Sequence, residues 1–292
     1  MSSLRVAVLG PGGVGGLLGA LLARDGHPVT CLAGRDTAAR IDRDGLHLSS
    51  DRFGDVTAAA RGAERLDSPV DACLVTVKAT QLEEALERVP PEALGTAVLV
   101  PLLNGVEHLQ LLRERYPRAR TVAGSIRVNA ARTAPGVVRH EGPMAAVELG
   151  PGAEALADAL RAAGLDVAVR ADERGLLWDK LAFLAPLALL TTQFMAPLGR
   201  VREQHGRDFE AVVREVAAVA RADGADVDPD TTLAFSRTVP ADMGSSMQRD
   251  AEAGNPTELE AIGGAVLRAA ARHRIAVPVT ERIVAQLRTR LG

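Results

Sequence analysis

Residues Val6 to Gly19 read VAVLGPGGVGGLLG: an apolar run, a glycine-rich turn and the beginning of a second apolar run. The first run predicts a buried strand and the second a helix. In the spacing G-x-G-x-x-G the glycines are Gly10, Gly12 and Gly15. The first would allow a tight turn, the second would leave room for a pyrophosphate, and the third would let helix and strand pack closely. The stretch therefore predicts a dinucleotide site at a helix start; a glycine-rich turn without a ligand is the alternative.

The residues after the second predicted strand, PVTCLA, indicate which dinucleotide is bound. An enzyme that prefers NAD usually places Asp or Glu about 20 residues after the glycines, where it binds the ribose 2′-hydroxyl. This sequence has Gly34 and Arg35 there, and a guanidinium suits the 2′-phosphate of NADPH. Asp36 would lie past the strand end, where it could cap the next helix with Thr37. The sequence therefore favours NADPH over NAD.

The composition is that of a globular protein with few aromatic residues. The 292 residues are enough for two domains, 47% are hydrophobic and only 2% are aromatic, so Ala, Leu and Val must build the core. Because the net charge is −3 and no basic tract occurs, we expect no nucleic-acid partner. Cys31 and Cys73 lie in apolar runs, where they are expected to be small buried residues rather than a disulfide or a metal pair.

We also expect neither a signal peptide nor a membrane span. The first strand is predicted almost at the start of the sequence, which leaves no room for a leader. The longest apolar stretch, Leu181 to Leu198, is interrupted by Pro186, Pro197 and several polar residues. It therefore predicts a buried helix at a domain or subunit interface, and the whole sequence indicates a cytoplasmic protein.

No metal site is predicted. Asp226, Asp228 and Asp230 alternate like the opening of a calcium loop, but that loop needs Gly at its sixth position and Glu at its twelfth. This sequence has Thr231 and Arg237 at those positions, and it contains no H-E-x-x-H motif. The Asp-Pro pair at 228–229 is more simply a helix start.

Strands and helices alternate along the first part of the sequence, which predicts a parallel sheet with both faces covered. After the first unit, strands are predicted at Asp71–Lys78, Ala97–Leu103, Thr121–Val128 and Val167–Arg170, with a helical stretch at Gln81–Leu86 and a late hairpin of Val137–His140 with Ala145–Gly150. Residues just past the C-terminal ends of such strands meet at one edge of the sheet. That edge would bring together the glycine turn, Arg35, Lys78 and Asn104.

From about Asp172 the hydrophobic periodicity is helical. Helices are predicted at Glu173–Met195, Glu203–Asp223, Pro229–Thr238, Thr257–Arg274 and Val279–Arg290. We therefore predict an α/β fold, with an N-terminal Rossmann-type doubly wound sheet in residues 1–171 and an all-helical C-terminal domain in residues 172–292.

Lys180, in the segment LWDKL, is the candidate proton donor. A dinucleotide domain followed by a helical domain indicates hydride transfer, and reduction of a carbonyl also needs a proton beside the oxygen. Lys180 is a cation at the head of a long apolar helix, where it could protonate a developing alkoxide and stabilise its charge. A surface lysine near a helix start is the alternative.

A second candidate lies at the start of a later helix. Thr257 is expected to be the N-cap, with Glu260 as its capping-box partner. Capping does not account for Glu258, which would lie one turn from Ile262 on a packing face. Glu258 is therefore a candidate site residue.

In these motifs the sequence resembles the ketopantoate reductase family (2-dehydropantoate 2-reductases) over nearly its whole length. The matching segments occur in family order: Gly10–Gly15, Val75–Ala79, Leu103–Val106, Trp178–Leu181, Ser245–Met247 with Asp250, and Thr257-Glu258. The resemblance implies an NADPH-binding Rossmann domain, a helical substrate domain, and reduction of a 2-oxo acid between them.

The resemblance also implies roles for individual residues. Lys180 would be the catalytic proton donor, and Glu258 would act beside both ligands. The implied cofactor residues are Gly10, Pro11, Gly12, Gly13, Val14, Gly15, Arg35, Lys78, Asn104, Ala131 (through its backbone) and Glu258. The implied substrate residues are Asn104, Lys180, Leu184 and Ser246.

The sequence departs from the family at three positions that usually carry a substrate-facing Asn. It has Leu184, Ala188 and Met243 there, and a site that hydrogen-bonds a substrate hydroxyl discriminates strongly through such groups. Their loss favours a substrate that is bulkier or less polar than ketopantoate. The basic residue for the 2′-phosphate also usually lies where this chain has Gly34, so Arg35 would reach the phosphate through a one-residue shift.

The leading hypothesis is an NADPH-dependent reductase of this family with Lys180 as general acid, acting on a 2-oxo acid, a ketone or an imine. Authentic 2-dehydropantoate 2-reductase of pantothenate biosynthesis is the nearest alternative, and a non-catalytic NADP(H)-binding protein is another. A 3-hydroxyacid dehydrogenase of the 6-phosphogluconate dehydrogenase-like superfamily is disfavoured, because the Ser-Ser-Met and Thr-Glu segments match ketopantoate reductases. A homodimer is expected, since the helical domain carries more apolar helix than one small domain buries.

Overall fold

The computed structural model describes residues 3–291, which form two compact units. The first contains residues 3–103 and 108–173, and the second contains residues 104–107 and 174–291. The strands in the described residues are β1 (Val6–Leu9), β2 (Val29–Leu32), β3 (Leu46–Ser50), β4 (Gly54–Ala58), β5 (Arg61–Ala63), β6 (Ala72–Val75), β7 (Val98–Pro101), β8 (Arg120–Thr121), β9 (Gly124–Ala134), β10 (Val137–Leu149) and β11 (Asp166–Val169).

Six of these strands form a parallel sheet in the order β5-β2-β1-β6-β7-β8. Counted along the chain, this order is 3-2-1-4-5-6, the order of a doubly wound dinucleotide-binding sheet. Every residue of β1 and β6 is buried, as expected for strands whose two faces are both covered. The predicted α/β class with a Rossmann-type sheet is therefore confirmed.

The first unit also contains the helices that connect these strands. They are α1 (Gly13–Arg24), α2 (Arg35–Asp44), α3 (Leu82–Leu86), α4 (Pro91–Leu94), α5 (His108–Arg115) and α6 (Glu154–Ala162). A 3-10 turn, Ala79–Gln81, precedes α3.

A second sheet lies in the same unit and was not predicted. Strand β10 pairs along its length with β9 and, on its other edge, with β3 near its start and β11 near its end, while β4 pairs with β3. Helix α1 packs between the two sheets, and its glycines make this possible. A Cβ on Gly15 would lie 2.8 Å from Val8 Cγ1 in β1, and a Cβ on Gly16 would lie 2.5 Å from Val138 Cγ2 in β10.

The predicted late hairpin is wrong. The segments Val137–His140 and Ala145–Gly150 do not pair with each other, because both belong to β10 and both pair with β9. The register shifts between His140 and Ala145, where Gly142 has a φ of +73°, so the intervening residues bulge out of the strand. The residues between the two predicted strands form this bulge.

The single strand predicted at Thr121–Val128 is also wrong. Arg120 and Thr121 end the parallel sheet, and Gly124 begins β9 of the second sheet. A Cβ on Gly124 would lie 2.6 Å from Val100 Cγ1, so glycine permits the chain to pass close to β7 as it changes sheet.

The second unit is helical, as predicted. Its helices are α7 (Glu173–Phe194), α8 (Leu198–Ala222), α9 (Pro229–Thr238), α10 (Ser246–Glu252), α11 (Ala265–His273) and α12 (Pro278–Leu291), with a π-helical turn at Glu260–Gly264. Asp228 caps α9, accepting hydrogen bonds from the N–H groups of Asp230 and Thr231 at 3.1 Å, which explains the aspartates that resembled a calcium loop. No cluster of His, Cys, Asp and Glu suited to a metal occurs in residues 3–291.

Helix α7 is apolar over most of its length, and it is the one helix in residues 3–291 that is long and apolar enough to cross a membrane. Its most apolar window is 78% buried within the folded chain, as in the core helix of a globular unit. Alanine, leucine and valine dominate the core around it, together with Trp178 and Phe209. The sparse aromatic composition is therefore matched by an aliphatic core.

Cys31 and Cys73 are buried free thiols, as predicted. They lie in β2 and β6, the two strands that pair with β1 on either side. Burial raises the pKa of both thiols to about 12.

Candidate functional site

The glycine turn between β1 and α1 has the geometry of a phosphate cradle. Gly10 has a φ of +85°, which only glycine adopts easily, and a Cβ there would lie 2.4 Å from Val77 Cγ1. A Cβ on Gly15 would lie 2.5 Å from the Gly10 carbonyl oxygen. A Cβ on Gly12 would meet no atom closer than that same oxygen, at 3.9 Å. The first and third glycines are thus required by packing, whereas Gly12 borders open space.

Gly12 is also the N-cap of α1 and offers no side-chain cap. The first N–H groups of a helix have no intrahelical partner, and an uncapped start can bind an anion. Open space above Gly12, uncapped N–H groups and a tight turn at Gly10 are what a dinucleotide pyrophosphate requires. The residues present therefore fit a dinucleotide.

Two other segments of the first unit border this turn. Thr76 Oγ1 lies 2.8 Å from the Gly10 carbonyl oxygen and 3.0 Å from that of Leu9, so its hydroxyl ties the end of β6 to the turn. Strand β9 approaches from the other side, since a Cβ on Gly13 would lie 2.2 Å from Ala130 O and 3.0 Å from Ala131 N. The fold thus brings the predicted residue Ala131 beside the glycine turn.

Lys78 follows β6 directly after Val77, the residue that contacts Gly10. It is exposed and begins the 3-10 turn at Ala79–Gln81. The glycine turn, Arg35 and Lys78 thus follow β1, β2 and β6, which are adjacent strands of the parallel sheet.

At the end of β2 the predicted helix cap is wrong. Helix α2 begins at Arg35 and its N-cap is Gly34, so Asp36 and Thr37 lie inside the helix instead of capping it. The Arg35 side chain is 84% exposed, and its Nε lies 3.3 Å from a carboxylate oxygen of Glu64. A second guanidinium also reaches this place: Arg88 donates through NH1 to the carbonyl oxygens of Ala33 and Glu64.

Asn104 and Glu258 meet in the second unit. The Asn104 amide donates to Glu258 Oε2 at 2.8 Å, and Glu258 is only 6% exposed. Gly105 makes the approach possible, because its φ is +91° and a Cβ there would lie 2.4 Å from Ala261 O. Two predicted site residues that lie 154 positions apart in the sequence are thus in direct contact.

Lys180 lies in the second turn of α7 and is half-buried. Leu184 is one turn further along the same helix face and is also half-buried, whereas Ala188 is fully buried in the core. Of the three apolar replacements, Leu184 and Met243 are therefore exposed in part, and Ala188 is not.

Ser246 is the first residue of α10 and is exposed, while the preceding Ser245 is its buried N-cap. Ser245 Oγ accepts from Gln248 N and lies 2.8 Å from Thr191 Oγ1, whose own hydroxyl donates to Leu187 O at 2.7 Å. Because the Thr191 proton is used on Leu187, Ser245 donates to Thr191. This bond ties the start of α10 to α7, the helix that carries Lys180.

The predicted capping box at Thr257 is wrong. The helix begins two residues later, and Glu260 instead binds Arg288 at 2.7 and 2.9 Å and Arg268 at 3.3 Å. Glu260 thus pairs with two arginines, so it has a structural role. The arginines also hold the pKa of the Glu260 carboxyl below its ordinary value, with Arg288 contributing most.

An open depression of about 750 Å³ lies on the first unit beside β5. It contains none of the predicted site residues, and it is lined by Arg61, Gly62, Ala63, Glu64, Arg65, Leu66, Asp67, Pro69, Pro90, Glu92 and Ala93. Sequence analysis gave no role to Thr76, although it lies in the matching segment Val75–Ala79, and no local pattern marks Arg88.

Comparison with known proteins matches this arrangement to one family. The family model described as ketopantoate reductase PanE/ApbA matches residues 6–154, and the model of its C-terminal domain matches residues 172–290. The 2-dehydropantoate 2-reductase of Mycobacterium tuberculosis (strain CDC 1551 / Oshkosh) is 32% identical over 295 residues, which cover 96% of this chain and 95% of that protein.

Solved structures give the same result. A PanE/ApbA family ketopantoate reductase from Ralstonia eutropha JMP134 superposes with a TM-score of 0.89 at 29% identity, covering 98% of each chain. The ternary structure of D-mandelate dehydrogenase with NADH and anilino(oxo)acetate has a TM-score of 0.88 at 22% identity, covering 99% of this chain and 98% of that one. This last likeness is one of fold.

Proposed function

This chain belongs to the ketopantoate reductase family and is an oxidoreductase, and from that premise we propose that it reduces a 2-oxo acid or a related ketone with NADPH. The family implies a nicotinamide cofactor and a small-molecule substrate. Beyond what the family implies, we propose that the cofactor is NADPH, that the residues named below are catalytic, and that the substrate is apolar. We also propose that the protein is a cytoplasmic homodimer. Sedimentation in the analytical ultracentrifuge would measure its oligomeric state.

In the first unit, the cofactor residues would be the glycine turn from Gly10 to Gly15, Lys78, Arg35 and the backbone of Ala131. The turn would bind the pyrophosphate through the first N–H groups of α1, with Gly12 leaving room for it. Arg35 would contact the 2′-phosphate. When bound, NADPH supplies the hydride.

In the second unit, Lys180 would protonate the carbonyl oxygen as it becomes an alkoxide. The ammonium gives up one proton to this oxygen, the product is a 2-hydroxy acid, and solvent returns the proton to the lysine. The chain's use of basic residues supports this role. Of its 34 lysines and arginines only two are lysines, Lys78 and Lys180, and arginine could not replace a lysine that must release a proton.

Glu258 and Asn104 would act beside Lys180 as a pair. Because the Asn104 N–H group donates to the Glu258 carboxylate, the orientation of the amide is fixed, and its carbonyl oxygen points away from Glu258. The pair would bind the cofactor and the substrate in one fixed geometry, with Ser246 as a further substrate contact.

The part of the substrate that does not react is proposed to be apolar. Leu184 and Met243 are half-buried, at positions where other members of the family usually carry an Asn that faces the substrate. Beside Leu184, the Phe183 ring packs edge to face against Phe235, with ring centroids 5.0 Å apart, and Phe235 is 40% exposed. In a sequence with five phenylalanines, an exposed ring next to the Lys180 face of α7 favours a substrate with a branched or aromatic group.

A second candidate function is authentic 2-dehydropantoate 2-reductase. The 32% identity to the Mycobacterium tuberculosis enzyme over nearly the whole of both chains favours it. This function requires that ketopantoate can be bound without the three Asn side chains that Leu184, Ala188 and Met243 replace.

The position of Lys180 on α7 carries the proposal, and NADPH oxidation tests it. Purified protein is assayed with ketopantoate, 4-methyl-2-oxopentanoate and phenylglyoxylate, beside Lys180→Arg and Lys180→Ala. We expect kcat to fall about 100-fold or more in both variants, because arginine keeps the charge but gives up no proton. The Kd of NADPH should change little in either. Turnover of ketopantoate above the other two acids would establish the second candidate, and tight NADPH binding without any turnover would indicate a non-catalytic nucleotide-binding protein.

A further inference from the structure

We propose that Arg88 is a second arginine for the 2′-phosphate of NADPH and that it, together with Arg35, determines the preference for NADPH over NADH. This inference rests on the proposed use of NADPH. It concerns only residues of the first unit.

Arg88 follows α3 and is half-buried, with one edge of its guanidinium fixed to the backbone. Its NH1 donates to Ala33 O at 3.2 Å and to Glu64 O at 3.1 Å, so it bridges the ends of β2 and β5. Its NH2 lies 4.0 Å from the position that a Cβ would take on Gly34. The guanidinium therefore lies at the β2–α2 turn, where a dinucleotide places the ribose of its adenosine.

The rest of the Arg88 guanidinium has no structural use. In residues 3–291, neither NH2 nor Nε of Arg88 donates a hydrogen bond, whereas NH1 donates two. Gly34 has no side chain to cover these donors. A structural role accounts for NH1 alone, and the unused edge of a planar guanidinium is suited to a phosphate.

The local charges show why Arg35 alone is insufficient. Glu64 lies 3.3 Å from Arg35 and compensates its charge, and Asp36 follows directly in the sequence. Arg88 binds the backbone of Glu64 and not its carboxylate, so its charge remains available. Arg35, Asp36 and Glu64 together carry a net charge of −1, so without Arg88 a dianionic phosphate would be repelled at this turn. Arg88 brings the local charge to zero and offers the phosphate a guanidinium whose hydrogen bonds go to backbone carbonyls.

Arg88 is also the more ordered of the two arginines. Arg35 is 84% exposed, and binding must order a long flexible side chain. Arg88 is already held by two carbonyl oxygens, so it loses less conformational entropy on binding. Its effect on affinity should equal or exceed that of Arg35.

Binding of paired ligands tests the proposal without turnover. The Kd values of NADPH and NADH are measured by fluorescence, and those of 2′,5′-ADP and 5′-AMP by calorimetry, for the wild type, Arg88→Ala and Arg35→Ala. We expect Arg88→Ala to weaken NADPH and 2′,5′-ADP about 10- to 100-fold, the range of hydrogen bonds to a charged group. NADH and 5′-AMP should change less than about threefold. Arg118→Ala is the matched control, since this exposed arginine precedes β8 at the opposite edge of the parallel sheet.

Arg88→Gln covers the case in which the alanine variant does not fold. Glutamine keeps an N–H donor for the backbone carbonyls but lacks the charge, so the same loss specific to the 2′-phosphate is expected. Equal weakening of both ligands of a pair, or of neither, would overturn the assignment of Arg88. If the wild type itself binds NADPH no more tightly than NADH, the proposed cofactor fails, a result distinct from failure at Arg88.

Discussion

Gly12 and Gly15 stand three residues apart in the same motif, yet the structure makes opposite demands on them. Gly15 is enclosed, because a Cβ there would lie 2.3 Å from Thr76 Oγ1 and 2.5 Å from Gly10 O. Gly12 faces open space and has an extended backbone that other residues adopt readily. Gly15 is thus required by packing, whereas the space beside Gly12 is the space that we propose for the pyrophosphate.

Alanine at each position separates these two requirements. Gly15→Ala should lower the free energy of unfolding by about 1–3 kcal/mol, the usual cost of overpacking. Gly12→Ala should change the free energy of unfolding by less than about 0.5 kcal/mol, while the Kd of NADPH rises tenfold or more because the methyl group occupies the space for the pyrophosphate. Urea unfolding and NADPH fluorescence measure the two effects. If the Gly12→Ala variant binds NADPH with an unchanged Kd, the proposed pyrophosphate site at Gly12 is wrong.

The buried thiols make stability depend on alkaline pH. In the folded chain the pKa values of Cys31 and Cys73 are raised to about 12 by burial, whereas an unfolded thiol has a pKa of about 8.5. Between these values the unfolded chain has lost thiol protons that the native chain keeps, so the free energy of unfolding falls as pH rises.

The double variant Cys31→Ala/Cys73→Ala should therefore lose less stability than the wild type between pH 9 and 10.5. Each thiol contributes up to about 1.4 kcal/mol per pH unit in this window. Urea unfolding at several pH values measures the two slopes, and the parent chain should react with Ellman's reagent only when unfolded. Identical slopes would mean that the thiols are not protected by burial.

At the scale of elements, the sequence predicted those whose signal is local. The apolar strands β1 and β6 and helix α9 with its Asp-Pro start were found from their own residues. The long strand β10 was not, because its bulge at Gly142 breaks the alternation and its partner is identified only by pairing. Strands β3 and β4 are short and polar on one side, and the sheet they join packs closely on α1, where glycines leave room for it.

The same distinction holds for the candidate site. The glycine turn and Lys180 could be predicted from a few neighbouring residues. The contact of Asn104 with Glu258 joins positions 154 residues apart, and resemblance to a family, not spacing, placed them together. Arg88 was missed because only the folded sheet brings the end of α3 to the end of β2.

The hydrogen bond between α7 and α10 gives a prediction with a neighbouring control. Thr191 and Thr192 are both fully buried, but Thr191 accepts from Ser245, whereas Thr192 Oγ1 has no hydrogen-bond partner in residues 3–291. Thr191→Val should lower the free energy of unfolding by about 1–3 kcal/mol, because the Ser245 hydroxyl loses its acceptor.

Thr192→Val should be neutral or stabilising, since it removes a buried hydroxyl that makes no bond. Urea unfolding of the two isosteric variants tests the pair. If Thr191 positions Ser246 through Ser245, Thr191→Val should also raise KM for the oxo acid more than it lowers kcat, and Thr191→Ser should restore both. Equal stability of the two valine variants would contradict the bond.

At the scale of the whole molecule, each compact unit has its own core, and the single tryptophan belongs to the second. Trp178 is buried and its indole N–H donates to Asp223 Oδ2 at 2.9 Å, so its fluorescence reports the folding of that unit. The proposed nucleotide residues lie mostly in the first unit.

NADPH should therefore stabilise the first unit preferentially. At about 100 times its Kd, a ligand adds roughly 2.7 kcal/mol to the stability of the state that binds it. We expect NADPH to raise the urea concentration at which Cys31 and Cys73, both buried in the first unit, react with Ellman's reagent, with a smaller shift in the Trp178 transition. Coincident transitions with and without NADPH would show instead that the two units unfold as one.

The scarcity of lysine has a spectroscopic consequence. Each unit carries one lysine, Lys78 in the first and Lys180 in the second. Reductive methylation with ¹³C-formaldehyde keeps the charge of an amine, and apart from the N-terminus it would label only these two side chains. A two-dimensional spectrum of the protein would then contain two lysine resonances, assigned by a single substitution. The Lys78 resonance would report binding of the nucleotide, and the Lys180 resonance would report binding of the oxo acid. Both binding events could then be observed separately in the same sample without any added dye.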